Sequence, residues 1–416
     1  MKSSPSDLPV SGDLAGALAS LETGPLTEEG VRHRLWPLFS RVLAASPDLV
    51  YLANHSLGRP LDRTMQDVQQ ALEAWTMHLD DAWEVWLEGQ RRFREGVARL
   101  IGAPGPETIA FRTSAGQGLR AVLSTYDRPV RIVTTRGEFD SIDFILKAHA
   151  DRRRAIITWV APDAHGVFDA AALRAAISSR TDLVVVSSVF FQTGQVLQGL
   201  EELVAIAHGA GARVLLDTYH HAGVLPLDVT ALGVDYAIGG SYKYLRGTAG
   251  ACWLYVSPRI LEESRLPLET GWFAKAAPFQ YARPDRALYA EGVEGWQEST
   301  PPVLAPFQAL AGLEFVHGVG IERLRSYSLQ QQRELVRLFR EVGIPALGGT
   351  TDRGAFVLVR HEQAPLLAKR LREVGVVTDA RGPHWRFCPD LLNTRSELAT
   401  AVQRVARLVA TLPPVS

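Results

Sequence analysis

Lys243 closes Gly239-Gly240-Ser241-Tyr242-Lys243, a glycine-led turn that follows the apolar run Tyr236 to Ile238. Asp217 ends another apolar run, Val214 to Leu216, 26 residues earlier. A lysine just beyond a strand, with an aromatic beside it, is held rather than solvated. Desolvation lowers its proton affinity and turns its amine into a nucleophile toward carbonyls. An acid at the carboxyl end of a neighbouring strand stands where open α/β sheets put ligand-binding groups. Together they imply pyridoxal phosphate, with Lys243 as its Schiff-base lysine. An ionised Asp217 would keep the pyridine nitrogen protonated and the ring an electron sink. Of the adjacent pair His220 and His221, His220 lies nearer the acid and is the better candidate to face the cofactor.

The same cofactor needs a phosphate cup, a ring platform and a group to orient substrate. Ser114, Ala115 and Gly116 open a helix directly after the run TIAFRT. Free N–H groups and the helix dipole make such a start an anion site. Phe139 emerges just past the run RIVTT and is placed to stack on a ring. Gln192-Thr193-Gly194-Gln195 puts polar side chains at the carboxyl end of a buried strand. Near the end, Arg381 and Arg386 lie among Pro, Trp and Phe in ARGPHWRF. A guanidinium in apolar surroundings needs an anion, and a substrate α-carboxylate would serve through a bidentate pair. No metal enters this reading.

These residues need a scaffold, and the pattern supplies one. From residue 107 onward, short Val/Ile/Leu-rich runs alternate with segments of helical period. The runs are TIAFRTS, RIVTT, AIITWV, LVVVSSVF, RVLLD, YAIGG and ACWLYV. The expected fold is α/β, a mostly parallel sheet with helices on both faces plus a smaller α+β C-terminal lobe. Residues 62–101 read as two long helices whose Trp75, Trp83 and Trp86 are expected in the core, and 27–45 as another helix. The first 24 residues read as a loosely tethered start. Three units follow: 1–60 packing with the small lobe, 61–297 holding the cofactor, and 298–416 as the C-terminal lobe.

A chain of 416 residues is long enough for two lobes. Its net charge of −1 gives no electrostatic case for nucleic acid or an anionic membrane. Two cysteines make no disulfide framework, and no apolar run suits a signal peptide or a membrane span. The expectation is a cytoplasmic enzyme acting on a small molecule.

Several stretches together resemble the kynureninase family, in the class V branch of the fold-type I pyridoxal phosphate enzymes. YLANHSLG is similar to the family's Y-L-x-G-N-S-L-G, EFDS to E-F-P-S-D, and FFQTGQ to Y-Y-T-G-Q. DTYHHAG fits D-x-A-H-x-x-G, and VDYAIGGSYKYL fits V-D-F-A-x-W-C-S-Y-K-Y-L. GWF, STPPVL and DARGPHWRFCPDLLNT match the later motifs, so the likeness runs from about 51 to 394. The resemblance implies Lys243 as the cofactor lysine, Asp217 at the ring nitrogen, His220 near the ring hydroxyl and Phe139 stacked on the ring. Ser114, Ala115, Tyr242 and Trp272 would surround the phosphate, with Trp272 reaching in from a second subunit of a homodimer. Arg386 would hold the carboxylate of an amino-acid substrate, and Tyr242 would relay protons. Thr300, counted with the cofactor-binding set, replaces an Asn that helps read the aryl end of kynurenine. Gly271-Trp272-Phe273-Ala274-Lys275 also lacks the Gly-His of G-W-x-G-H, Ile142 replaces the Asp of F-P-S-D, and Ala115 replaces a Thr. The cofactor part is intact while the aryl-recognition part has drifted. The implied activity is hydrolysis of kynurenine or 3-hydroxykynurenine to alanine and an anthranilate. The alternative is a class V aminotransferase, β-lyase or epimerase on another amino acid. A cysteine desulfurase fits less well, because Cys388 follows Arg386 and Cys252 lies in a strand run.

Overall fold

The computed structural model describes residues 13–411. After a two-residue strand β1 (Val50–Tyr51), the seven apolar runs become strands of one sheet. They are β2 (Ile109–Arg112), β3 (Val130–Thr135), β4 (Ala155–Val160), β5 (Leu183–Ser187), β6 (Arg213–Asp217), β7 (Tyr236–Gly240) and β8 (Cys252–Val256). The spatial order is β2-β8-β7-β6-β5-β3-β4. All neighbours are parallel except around β8, which runs antiparallel to both β2 and β7. β5 through β8 are buried at every position but Arg213, as continuous β-branched and aliphatic runs covered on both faces must be. Register places Ser187 beside Asp217 and Asp217 beside Ile238. The carboxyl ends of β5, β6 and β7 therefore open on the same edge.

Helices join the strands with side-chain caps that supply the acceptors their first N–H groups lack. Ser114, Asp169, Asp228 and Ser257 each cap one. Two long helices, Asp62–His78 and Ala82–Ile101, meet at Leu79, whose φ of +49° breaks the run. Only part of their aromatic stripe is core. Trp83 and Trp86 are half-buried and edge-to-face at 5.5 Å, but Trp75 is 58% exposed on a face shared with Met65 and Leu72. The expected helix over 27–45 is three pieces, Glu28–Arg34, a 3-10 turn at Trp36–Phe39 and Ser40–Ala45. Pro37 has no N–H to give to an α-helical ladder and marks the change. Of the first 24 residues, 1–12 lie outside the described residues, while Leu14–Ala19 is a helix whose Leu18 packs against Gly318.

The later residues form helices Phe307–Val319, Ile321–Glu341 and Ala364–Glu373 around a second sheet. Its strands β9 (Ala346–Leu347), β10 (Val357–Arg360), β12 (Asp379–Arg381) and β13 (His384–Phe387) are antiparallel in the order β12-β13-β10-β9. β1 pairs in parallel with β11 (Val376–Val377), tying the chain's start to its end. The last helix, Arg395–Ala410, opens on a reciprocal capping box between Thr394 and Glu397. No helix among the described residues is long and apolar enough to cross a membrane.

Candidate active site

Lys243 sits three residues past β7, in a turn held from below by the Asn54–Gly58 loop. Gly58 N–H donates to the Tyr242 carbonyl at 2.8 Å. The approach is so close that a Cβ at Gly58 would lie 1.9 Å from the Lys243 carbonyl oxygen. Arg246, three residues on, is anchored by both Nη atoms to Asp390, which also draws in Arg59. The backbone around the lysine is therefore clamped from two sides.

The side chain is buried, and its Nζ lies 5.4 Å from the Tyr219 ring centre and 5.7 Å from those of Phe139 and Tyr242. Among the described residues it makes no salt bridge; its hydrogen-bond partner is His220 Nε2 at 2.7 Å. Burial drives the Lys243 amine down to about 7, with the charge of Asp217 opposing and that of Arg386 assisting. His221 turns away and bonds the Pro226 carbonyl at 2.9 Å, so His220 is the histidine that meets the lysine.

A cavity of about 250 Å³ opens over Nζ. Asp217, Phe139, Ser114, Ala115, Tyr242 and His220 all line it. Asp217 Oδ1 accepts from Tyr219 N–H at 2.9 Å. Burial pushes its carboxyl up, against the pull of that N–H and of Lys243. Ser114 Oγ caps its helix by accepting from Gln117 N–H at 3.1 Å, leaving the first-turn N–H groups of Ala115 and Gly116 without helical acceptors. Phe139 stands edge-on to Phe191 at 5.3 Å, and burial lifts the Tyr242 phenol to about 12.

Arg386 lies behind this cavity rather than in its wall. Its Nε donates to Asp379 Oδ1 at 2.8 Å, Nη2 to Asp379 Oδ2, and Nη1 to the Phe191 carbonyl. A guanidinium has five N–H groups, so one remains on each Nη. His55 Nε2 meets Asp379 Oδ1 at 2.6 Å from the other side. Burial opposes ionisation of Asp379, but the His55 hydrogen bond and Arg386 outweigh it and hold the carboxyl well below the usual range. The anion expected for Arg386 thus exists within the protein, and the guanidinium still has two donors free. Trp272 and Thr300 come together, Nε1 donating to Oγ1 at 2.9 Å, but neither lines the cavity over Lys243 in this chain. Gln195 is absent from that wall as well; it bridges both backbone groups of Phe168.

Sequence reasoning passed over four neighbours. Tyr219 fits its ring against Gly240, where a Cβ would come within 2.4 Å of the phenol oxygen. Glu138 is buried between the hydroxyls of Thr135 and Ser187, each at 2.6 Å, and burial lifts its carboxyl to about 7. His55 and Asp379 complete the list. Their signal was faint: two residues after Asp217, one before Phe139, and polar positions inside otherwise apolar motifs.

The sequence matches the family described as aminotransferase class-V over residues 81–388. The chain belongs to that family. Pyridoxal phosphate is its cofactor, and the residues here fit it. The desolvated lysine has no carboxylate partner among the described residues, an acid stands on the next strand end, and the first turn of a helix lines the same cavity. The chain is 29% identical to a kynureninase of Bacillus anthracis over 86% of this chain and 88% of that one. It is 29% identical to a kynureninase of Xanthomonas campestris pv. campestris (strain B100), over 81% and 85%. An uncharacterized aminotransferase, YcbU of Bacillus subtilis (strain 168), is 27% identical over 86% and 93%. Among solved structures, the cystine C-S lyase C-DES with its product cysteine persulfide superposes with a TM-score of 0.78 at 22% identity, over 88% of this chain and 98% of that one. The cysteine desulfurase CsdA of Escherichia coli gives 0.75 at 20%, over 90% and 99%. These last two likenesses show the class V fold.

Proposed function

We propose that the protein is a kynureninase-like hydrolase, splitting the Cβ–Cγ bond of kynurenine or 3-hydroxykynurenine into alanine and an anthranilate. The observation that carries this reading is a buried lysine amine, bonded to neutral His220 and to no carboxylate among the described residues, beside a mainly apolar cavity walled by Phe139, Val189, Phe191 and Tyr219. Such walls suit an aryl ketone, and kynureninases stand among the relatives. Bound pyridoxal phosphate supplies a sink for the electron pair left at the substrate Cα.

The chain's own residues do the rest. Asp217 would meet the ring nitrogen, Ser114 and the N–H groups of Ala115 and Gly116 would receive the phosphate, and Phe139 would pack on the ring, since all of them line the cavity over Lys243. The two free N–H groups of Arg386 hold the α-carboxylate. Lys243 Nζ, poised near neutral pH, removes the Cα proton. Water adds to the γ-carbonyl carbon and the Cβ–Cγ bond breaks, its electron pair going to Cβ. Tyr242, protonated at neutral pH, supplies the proton that Cβ needs and regains one from the hydrated γ-carbon's hydroxyl as the carboxyl forms, while Lys243 returns its proton to Cα to complete alanine. The protein acts as a cytoplasmic homodimer in which Trp272 and Thr300 of one protomer complete the site of the other. Exposed apolar side chains on helix Asp62–His78 and on 268–288 support such an interface.

Thr300 favours a second reading, a class V transferase, lyase or epimerase on another amino acid, because a hydroxyl that accepts from Trp272 stands where the kynureninase motif has an amide. Desulfuration is disfavoured, since both cysteines are buried and burial pushes both thiols up. The test is to incubate purified holoenzyme with kynurenine and 3-hydroxykynurenine while following alanine, anthranilate fluorescence and keto acids. Equal yields of alanine and anthranilate are expected; keto acid without anthranilate selects the second reading.

A further inference from the structure

Lys243, His220 and Tyr244 form a line. Lys243 Nζ meets His220 Nε2 at 2.7 Å, and His220 Nδ1 meets the Tyr244 hydroxyl at 3.1 Å. Burial and the neighbouring Lys243 hold His220 well below its usual pKa, so its ring is neutral and carries a single N–H. An ammonium has donors only, so it requires a bare Nε2 and places the ring proton on Nδ1, facing the phenol oxygen. With the proton on Nε2 instead, the ring offers lysine a donor that only the free amine accepts. Nδ1 is then bare and takes the Tyr244 O–H. A phenol can accept or donate, so it satisfies both arrangements.

We propose that Tyr244 is a positioning residue that, through His220, lets the imidazole exchange tautomers as Lys243 gains and loses its proton. This rests on Lys243 being the proton-carrying lysine, and on no particular substrate. Replacing the phenol by a phenyl ring would leave an Nδ1–H buried with nothing to accept it, which is costly. The ring would then keep its proton on Nε2 and present a donor to the ammonium. The charged lysine would lose its partner, and Lys243 would give up its proton more readily. The remaining charges stay in place in such a variant. Asp217 favours the ammonium, while Arg386 and Arg381 oppose it. Neutral His55 lies near His220, and Arg325, Asp379 and Cys388 face Tyr244.

The readout is capture of added pyridoxal phosphate by the cofactor-free full chain, followed by visible absorbance against pH. Capture requires the neutral amine. In Tyr244→Phe the midpoint should move about one unit to lower pH, making capture on the acid side roughly tenfold faster than in the wild type. Histidine ¹⁵N spectra of the same protein should show His220 fixed with its proton on Nε2. In a His220→Gln background, adding Tyr244→Phe should move the midpoint no further. An unchanged midpoint in Tyr244→Phe, or an equal shift in the glutamine background, overturns the proposal. Tyr244→Met makes the same test should the phenylalanine variant not fold. No substrate enters these measurements, so their failure is distinct from failure of the hydrolase reading.

Discussion

Glu138 shows how much of this site is set by desolvation at single residues. It receives hydroxyl hydrogen bonds but no salt bridge among the described residues, and the charge of Asp217 opposes its ionisation. Its carboxyl is held near 7, against an ordinary value of 4.5. Between those values the folded protein keeps a proton that the unfolded chain has released. Stability must therefore fall as pH rises through that window and stay reduced above it. Glu138→Gln removes the titrating group while keeping both hydroxyl contacts. The loss of unfolding free energy between pH 4.5 and 8, read from urea denaturation, should shrink by about 3 kcal/mol in the variant. An identical slope in both proteins would show that Glu138 is ionised in the fold. The residue next to it, Phe139, lines the cavity over Lys243, so in the proposed reading this buried acid would brace the ring platform from behind.

Among the elements, the loop after β1 matters more than its length suggests. Asn54 Nδ2 donates to the Cys388 carbonyl at 3.1 Å, Gly58 N–H donates to Tyr242, and His55 grips Asp379. One turn thus positions the lysine backbone and, through Asp379, the Arg386 guanidinium. Gly58→Ala puts a methyl where the Lys243 carbonyl now lies, and backbone on both sides leaves nothing flexible to yield. The expected outcome is a loss of about 1–3 kcal/mol in stability, with cofactor affinity weakened at least tenfold on equilibrium titration. Wild-type affinity in the variant would mean that the lysine turn tolerates displacement. Between strand and helix the same economy holds: Ser114 ends the β2 connection, caps a helix and faces the cavity.

Across the whole molecule, one chain holds the lysine, the acid and the helix start, while Trp272 and Thr300 sit elsewhere with each other. If protomers share sites, Lys243→Ala and Trp272→Ala are each impaired alone but complement when mixed. With random exchange of protomers, about a quarter of the sites are then intact, and activity should recover to that fraction. No recovery, with subunit exchange verified by mass, would place Trp272 outside the partner's site. Trp75, Leu72 and Met65 belong to the same scale. A helical stripe of aromatics reads as core from spacing alone, but among the described residues the face carrying Trp75 is left largely exposed.

That Lys243 and Asp217 share one cavity was legible because it is carried by local pattern: buried strands read as unbroken apolar runs, and the groups that end them stand at the sheet's open edge. The order of those runs, the glycines and the motif residues were enough to indicate the class V fold and the cofactor. What the chain could not say in one dimension was direction. Two adjacent histidines look alike until a turn sends one to Lys243 and the other to Pro226. Arg386 on β13 looks like an arginine in want of an anion until strand pairing sets Asp379 of β12 opposite it. Tyr244 is one more aromatic until its hydroxyl meets His220. Composition and periodicity determine which groups are buried. Only tertiary structure decides which donor faces which acceptor, because hydrogen bonds depend on directions that the folded backbone alone fixes.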